Sequence, residues 1–223
     1  MRIAIMCAMA EEAALISEIL EEATAVRVAG VDVTRGTAAG HQLALCLSGV
    51  GKANAAATAQ LMISAFAPEA IINIGLAGNC TPALPLGGAV VAERLAYHDI
   101  NVPLTLLSPR ELMPDAGLAR AAAETLAALD IPFVAGTIAT GDQFITDSAV
   151  RDDIIARTGA ACVEMECAAI AQIAVKNDVP FAAIKLMSDH ADADAGVDFD
   201  DCLAVDAYCA RSAAIISKMI RNI

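Results

Sequence analysis

Tryptophan is absent from this chain, and aromatic residues make up only 3% of its 223 positions. Proteins that hold single-stranded nucleic acid stack bases on aromatic side chains, and that platform is missing here. Positive charge is also scarce: 14 Lys and Arg stand against 27 Asp and Glu, a formal charge of −13. Such a chain repels a phosphate backbone, so nucleic acid is not an expected partner. The three histidines, His41, His98 and His190, are widely separated and form no metal-ligand cluster. Seven cysteines occur without any C-x-x-C pair; several sit in apolar patterns and read as small buried thiols in a reducing compartment. The opening "MRIAIMC" is too short and strand-like for a signal peptide, and no charge-free apolar run reaches about 18 residues. The expectation is a soluble cytoplasmic protein with no membrane association and no metal.

What the chain does have is apolar bulk, 57% hydrophobic residues against 18% charged. That balance suits one compact α/β domain over residues 1–223, large enough to bury a substantial core. "RIAIMC" is a continuous apolar run expected of a strand buried on both faces. "EEAALISEILEEA" has helical spacing, with Glu11 and Glu12 in its first turn. "VRVAGVDVTRG" and "HQLALCLSGV" read as antiparallel strands around turns at Gly30 and Gly40. A helix through "KANAAATAQLMISAF" precedes the strands "AIINIGLAG" and "AVVAERLAYHDI". A helix over 116–129, the strand "VAGTIATGD" and the helix "DSAVRDDIIART" follow. After "AACVEMECAAIA" come the strand "PFAAIKLMSDH" and a closing helix from Phe199 to Ile220. No linker or repeat divides this alternation, which reads as a mixed central β-sheet flanked by helices.

Ligands in such sheets sit where strands end, and the chemically loaded residues gather there: Glu12, Gly75 to Gly78, Gly141 to Phe144, Glu164 to Glu166, and Ser188 with Asp189. Each has a plainer reading. Glu11 and Glu12 favour a helix N-terminus in any case, Asp189 serves as a turn residue, and Phe144 as a core or lid aromatic. Tyr97, His98 and Asp99 read as a structural hydrogen-bond network. The hardest to dismiss are Glu164 and Glu166, two carboxylates inside an apolar run, because a buried charge without a partner costs several kcal/mol or more. In a strand they share a face, whereas a helix starting at Glu166 turns that side chain elsewhere.

"AMAEE", "SGVGKANAA", "GLAG", "YHDINV", "GDQFI", "VEMECAAIA" and "SDHAD" occur in this order. Together they resemble the 5′-methylthioadenosine/S-adenosylhomocysteine nucleosidases of the nucleoside phosphorylase superfamily, over essentially the whole chain. The resemblance implies a nucleoside phosphorylase-like fold and an N-glycosyl hydrolase that needs no cofactor and takes a small adenine nucleoside. Glu12 then matches the general base that orients the attacking water, and Asp189, with Ser188 beside it, the acid that protonates the purine at N7. Met165 matches a residue packed on the ribose and Glu166 the acceptor of the sugar hydroxyls, with Glu164 a structural neighbour. Phe144 and Ile145 match the adenine-binding segment, the latter through its backbone, and Phe199 lines the 5′-alkylthio pocket. Met9 and Leu76 fall among the substrate-binding positions. Leu76 is a departure, standing where many related enzymes carry a small hydroxyl residue, and Asn79 with Cys80 replace a Gly-containing ending.

The chemistry holds without the family name. Adenine leaves poorly as an anion, so a neutral carboxyl that donates a proton to it is worth about 10²–10⁴-fold, while anionic carboxylates stabilise an oxocarbenium-like sugar. A phosphorylase on the same fold instead needs cations around phosphate. Related phosphorylases place arginines after the first strand and before the glycine segment, where this chain has Glu11, Glu12 and Asn73, so water is the expected nucleophile. The resemblance leaves the 5′ substituent open between methylthioadenosine, S-adenosylhomocysteine, 5′-deoxyadenosine and aminodeoxyfutalosine. It also implies a homodimer in which residues 101–115, with apolar Leu104, Leu106, Leu107 and Met113, complete the neighbouring site.

Overall fold

The computed structural model describes residues 1–108, 110–203 and 207–223. Its elements are β1 (Arg2–Cys7), α1 (Ala10–Ser17), β2 (Glu21–Val28), β3 (Val31–Ala38), β4 (His41–Leu47), α2 (Lys52–Phe66), β5 (Ala70–Asn79), β6 (Ala89–Tyr97), α3 (Ala116–Ala127), β7 (Phe133–Thr140), α4 (Ser148–Thr158), β8 (Ala160–Glu164), α5 (Cys167–Lys176), β9 (Phe181–Asp189), α6 (Ala195–Leu203) and α7 (Ala207–Met219). A short 3₁₀ turn covers Leu104–Leu106.

Among the described residues, all nine strands belong to one sheet in the order β2-β3-β4-β1-β5-β8-β7-β6-β9, and β9 pairs again with β5. The ring β5-β8-β7-β6-β9 thereby closes on itself, while β1, β4, β3 and β2 extend from β5 as a wing. Pairing is parallel for β1 with β4, β1 with β5, and β5 with β9, and antiparallel through β2, β3 and β4. This is the mixed sheet flanked by helices that the alternating pattern predicts.

Side-chain alternation divides the core into two layers. Ile3, Ile5 and Cys7 of β1 pack with residues of α1, α3 and α7, whereas Ala4 and Met6 point to the opposite face, against α2 and α5. The apolar run of β1 is therefore buried on both faces, as its composition implies. Cys7, Cys46, Cys80, Cys162, Cys167 and Cys202 are buried thiols.

Two expectations change. The first helix stops at Ser17, and Glu21–Val28 forms an edge strand. Antiparallel pairing of Glu21 with Thr37 and of the following residues with β3 overrides the helical propensity of "EEA". "GLAG" lies inside β5, as the strand "AIINIGLAG" predicts, and pairs with Lys185 to Asp189 of β9. The closing helix begins earlier, at Ala195, and helix is present over Ala195–Leu203 and Ala207–Met219. Part of that expected helix, residues 204–206, lies outside the described residues.

Candidate active site

A cavity of about 360 Å³ opens at the carboxyl ends of β1, β8 and β9, against the distal half of β5. Met9 and Glu12 enter it from the start of α1, and Leu76 from β5. Phe144 and Ile145 come from the segment after β7, and Met165 and Glu166 from the junction of β8 and α5. Ser188 and Asp189 close β9, and Phe199 reaches in from α6. Every substrate-binding or catalytic position expected from sequence thus lines one cavity.

Glu12 is buried at the third position of α1. Its Oε2 accepts the backbone N–H groups of Ala8 and Met9 at 2.8 and 3.0 Å, and Oε1 accepts that of Leu76 at 2.9 Å. The first two bonds come from the helix entry, so the acidic first turn is real; the third ties the carboxylate to β5. Only a glycine at 75 permits this approach, because a Cβ there would stand 2.4 Å from Oε1. Leu76 presents its N–H to Glu12, while its side chain packs on the core layer of α1 and α7.

Glu164 and Glu166 separate as their spacing foreshadows. Glu164 ends β8 and is turned inward, taking the Thr140 hydroxyl and the backbone N–H groups of Glu166 and Cys167. Glu166 stands at the N-cap of α5 and accepts the Gly51 N–H on Oε1 at 2.8 Å. Between them lies Lys185, 1% exposed, with Nζ 3.2 Å from Glu164 Oε2 and 3.9 Å from Glu166 Oε2. Burial opposes ionisation of Glu164, but Lys185, the Thr140 hydroxyl and two backbone amides together hold its pKa below the usual range. At Glu166 burial wins: its pKa rises to about 7 although Lys185 pulls it down, with Glu164 adding repulsion.

Asp189 is 2% exposed. Its Oδ2 accepts the Ser188 hydroxyl at 2.7 Å and Oδ1 the Ala191 N–H at 2.8 Å. Burial raises its pKa despite these two hydrogen bonds, and Asp198 pushes the same way. Asp189 ends β9 and Glu12 sits in the first turn of α1, so the two carboxylates reach the cavity from separate elements. Across the cavity, Phe144 and Phe199 meet edge to face with ring centroids 5.5 Å apart. Phe144 remains 48% exposed, a side chain at the mouth and not in the core.

A family model described as the phosphorylase superfamily matches residues 2–221. The 5′-methylthioadenosine/S-adenosylhomocysteine nucleosidase of Shewanella piezotolerans is 37% identical over 211 residues, covering 90% of this chain and 91% of that protein. The crystal structure of the nucleosidase of that name from Neisseria meningitidis, in complex with methylthio-immucillin-A, superposes with a TM-score of 0.93 at 31% identity, covering 100% of this chain and 99% of the other. A futalosine hydrolase of Helicobacter pylori superposes with a TM-score of 0.91 at 26% identity, covering 100% and 98%. The chain belongs to the 5′-methylthioadenosine/S-adenosylhomocysteine nucleosidase family.

Within that family fold, the two positions where arginines were sought carry none. Asn73 faces inward, donating to the Met6 carbonyl and accepting the Cys167 thiol. Among the described residues, no Lys, Arg or His side chain lines the cavity. Lys185 lies behind the wall and is already shared by two carboxylates. Sequence reasoning missed it, along with Val50 at the cavity wall. The signal for Lys185 was the one that exposed the glutamates: a lone charge in the apolar run "FAAIKLM" requires a buried partner. Among the described residues no group of three or more His, Cys, Asp or Glu is placed to hold a metal, and no helix is long and apolar enough to cross a membrane.

Proposed function

We propose that this protein hydrolyses the N-glycosidic bond of 5′-methylthioadenosine and S-adenosylhomocysteine, releasing adenine and the 5-thio-ribose product with water as nucleophile. The names of its relatives agree with this reading. The observation that carries it is a cavity walled by four carboxylates and apolar side chains without a cation, in which buried Asp189 and backbone-anchored Glu12 stand on separate elements.

In this mechanism Asp189, whose burial favours the protonated form, delivers its proton to N7 of adenine while Ser188 steadies the carboxyl. Glu12, a fixed acceptor, takes a proton from the attacking water. Glu166 receives the sugar hydroxyls, and the carboxylates stabilise positive charge on the sugar more strongly in a dry site than water would. Met165 packs on the ribose, and Phe144 stacks on adenine with Ile145 contributing its backbone. Met9, Leu76 and Phe199 give the 5′ group an apolar berth. A homodimer, with residues 101–115 completing the neighbouring site, is supported by exposed Val102, Leu106 and Met113. A cytoplasmic location is supported by the buried thiols.

A second reading, hydrolysis of another 5′-modified adenine nucleoside such as aminodeoxyfutalosine or 5′-deoxyadenosine, is favoured by the Helicobacter pylori futalosine hydrolase likeness. Incubating purified protein with each of the four nucleosides, with and without phosphate, and measuring adenine tests both. Rapid adenine release from the two thio-nucleosides, independent of phosphate, is the expected outcome. A sugar 1-phosphate product would refute the role of water, and preference for aminodeoxyfutalosine would replace the substrate assignment.

A further inference from the structure

We propose that Lys52, Asp99 and Asp142 form a clamp that fixes the spacing between the Glu166 wall of the cavity and the Phe144 wall; it is a positioning role that rests on the nucleosidase reading above. None of the three lines the cavity; Lys52 and Asp142 adjoin segments that do, and Asp99 bridges those two segments. Gly51, directly before Lys52, donates its N–H to Glu166 Oε1, and Val50 before it lines the wall. Directly after Asp142 come Gln143, Phe144 and Ile145.

The clamp closes through four contacts. Asp99 Oδ2 meets Lys52 Nζ at 2.5 Å and accepts the Asp142 backbone N–H at 2.9 Å. Asp142 Oδ1 accepts the Lys52 backbone N–H at 2.8 Å, and its Oδ2 lies 3.6 Å from Lys52 Nζ. One Asp99 oxygen therefore holds both segments at once. The Lys52 N–H that Asp142 receives is the first of α2, whose N-cap is Gly51 at φ 97°, a residue with no side chain to cap the helix. Asp142, ninety positions away, supplies the missing acceptor.

The Lys52–Asp99 pair is also braced and partly shielded, while the Asp142 side chain is 53% exposed. The Lys52 and Asp99 side chains are only 20% and 15% exposed. The Lys52 ammonium sits 5.6 Å from the centre of the Tyr97 ring, a cation–π distance. Tyr97 in turn donates its hydroxyl to Gln172, which donates to the Leu107 carbonyl. Burial works against the charge on Asp99, but the Lys52 hydrogen bond and the Asp142 N–H outweigh it and hold the carboxyl below its ordinary range. The exposed pair Arg27–Asp32, with side chains 66% and 58% exposed, has none of this support and touches no cavity segment.

The test is steady-state kinetics of adenine release from methylthioadenosine by the full chain and by Asp99→Asn, Lys52→Met, Lys52→Arg and the Lys52→Met/Asp99→Asn double variant. Asp32→Ala is the control. Asp99→Asn and Lys52→Met are expected to raise KM by on the order of tenfold, the loss of one charge-assisted hydrogen bond. Because Glu12 and Asp189 stand on α1 and β9, outside the two clamped segments, kcat should stay within about threefold. The double variant should be no worse than the poorer single variant, since both changes break the same junction. Lys52→Arg should recover most of the loss, and Asp32→Ala should match the wild type. Asp99→Asn keeps the side-chain shape, so it reports on the clamp even where Lys52→Met folds poorly. Wild-type KM in folded Asp99→Asn, multiplying effects in the double variant, or a loss confined to kcat would overturn the clamp alone. A wild-type chain that releases no adenine would instead overturn the nucleosidase reading, and the clamp's role with it.

Discussion

Replacing Gly75 with alanine puts one methyl group against the base. Its Cβ would stand 2.4 Å from Glu12 Oε1, 3.0 Å from Cδ and 3.2 Å from Oε2. Ordinary contact begins near 3.4 Å, so the carboxylate must retreat by 1.0 Å along the Oε1 direction. Glu12 has no slack in which to do so, because its oxygens are held by amide donors at 2.8, 3.0 and 2.9 Å. A retreat of that size carries the Leu76 bond beyond about 3.5 Å, where it no longer counts as a hydrogen bond. The backbone itself does not object: Gly75 lies within β5, paired with Lys185, and not in the left-handed region. Misplacing a catalytic group by about 1 Å costs about 10²-fold, so Gly75→Ala should lower kcat/KM by about 10²-fold, or about 2.7 kcal/mol of transition-state stabilisation. Steady-state adenine release gives the ratio, and a thermal melt confirms that the variant is folded. A folded Gly75→Ala protein retaining wild-type kcat/KM within about threefold would refute the argument that the position of Glu12 carries the reaction.

Removing the charges themselves is a coarser perturbation. Asp189→Asn and Glu12→Gln should each lower kcat/KM by about 10²–10⁴-fold; wild-type rates in either would remove that residue from the mechanism. Lys185→Met strands two buried carboxylates and should cost about 3–5 kcal/mol of stability, read from the denaturant midpoint, with Lys185→Arg costing less; equal losses in the two would show that charge is not what Lys185 supplies. The pKa of Glu166 is raised from 4.5 to about 7, so the folded chain binds its proton more tightly than the unfolded one. The stability Glu166 contributes is therefore complete below about pH 4.5 and is lost as pH rises through about 7. Glu166→Gln should flatten that part of the Tm-against-pH curve, and an unchanged slope would contradict the shift. In the same window the wild-type KM should rise as pH falls below about 7, because a protonated Glu166 accepts fewer sugar hydrogen bonds.

The chemical identity of the site was legible because buried charge is rare in sequence as well as in structure. Glu164 and Glu166 stood out against "AACV" and "CAAIA", and both are buried and partnered. Which of them faces the cavity as a sugar acceptor depends on the chain turning from β8 into α5 between them, a boundary that local spacing foreshadows. Their cation was harder to see. Lys185 lies 19 positions after Glu166, and nothing local in "FAAIKLM" says which carboxylates it meets; the β5–β9 pairing and the packing of β8 decide that. The clamp is a similar case. Lys52, Asp99 and Asp142 belong to three motifs that read separately as a helix start, a strand end and a glycine-rich segment. Asp99 did read as part of a hydrogen-bond network, but its partners come from segments 47 and 43 positions away.

Where sequence reasoning erred, long-range pairing had overruled local preference. "EILEEA" keeps the composition of a helix, yet Glu21 and its successors pair with β3. The sequence by itself determined the alternation of elements, the two-sided burial of β1, the acid-rich and cation-poor character of the site, and its family. Those properties follow from residue type and near-neighbour spacing. The tertiary structure decided which carboxylates are ionised, which backbone amides hold them and which lysine balances them. These depend on distances between residues far apart in the chain, which only the closing of the sheet brings within hydrogen-bond reach.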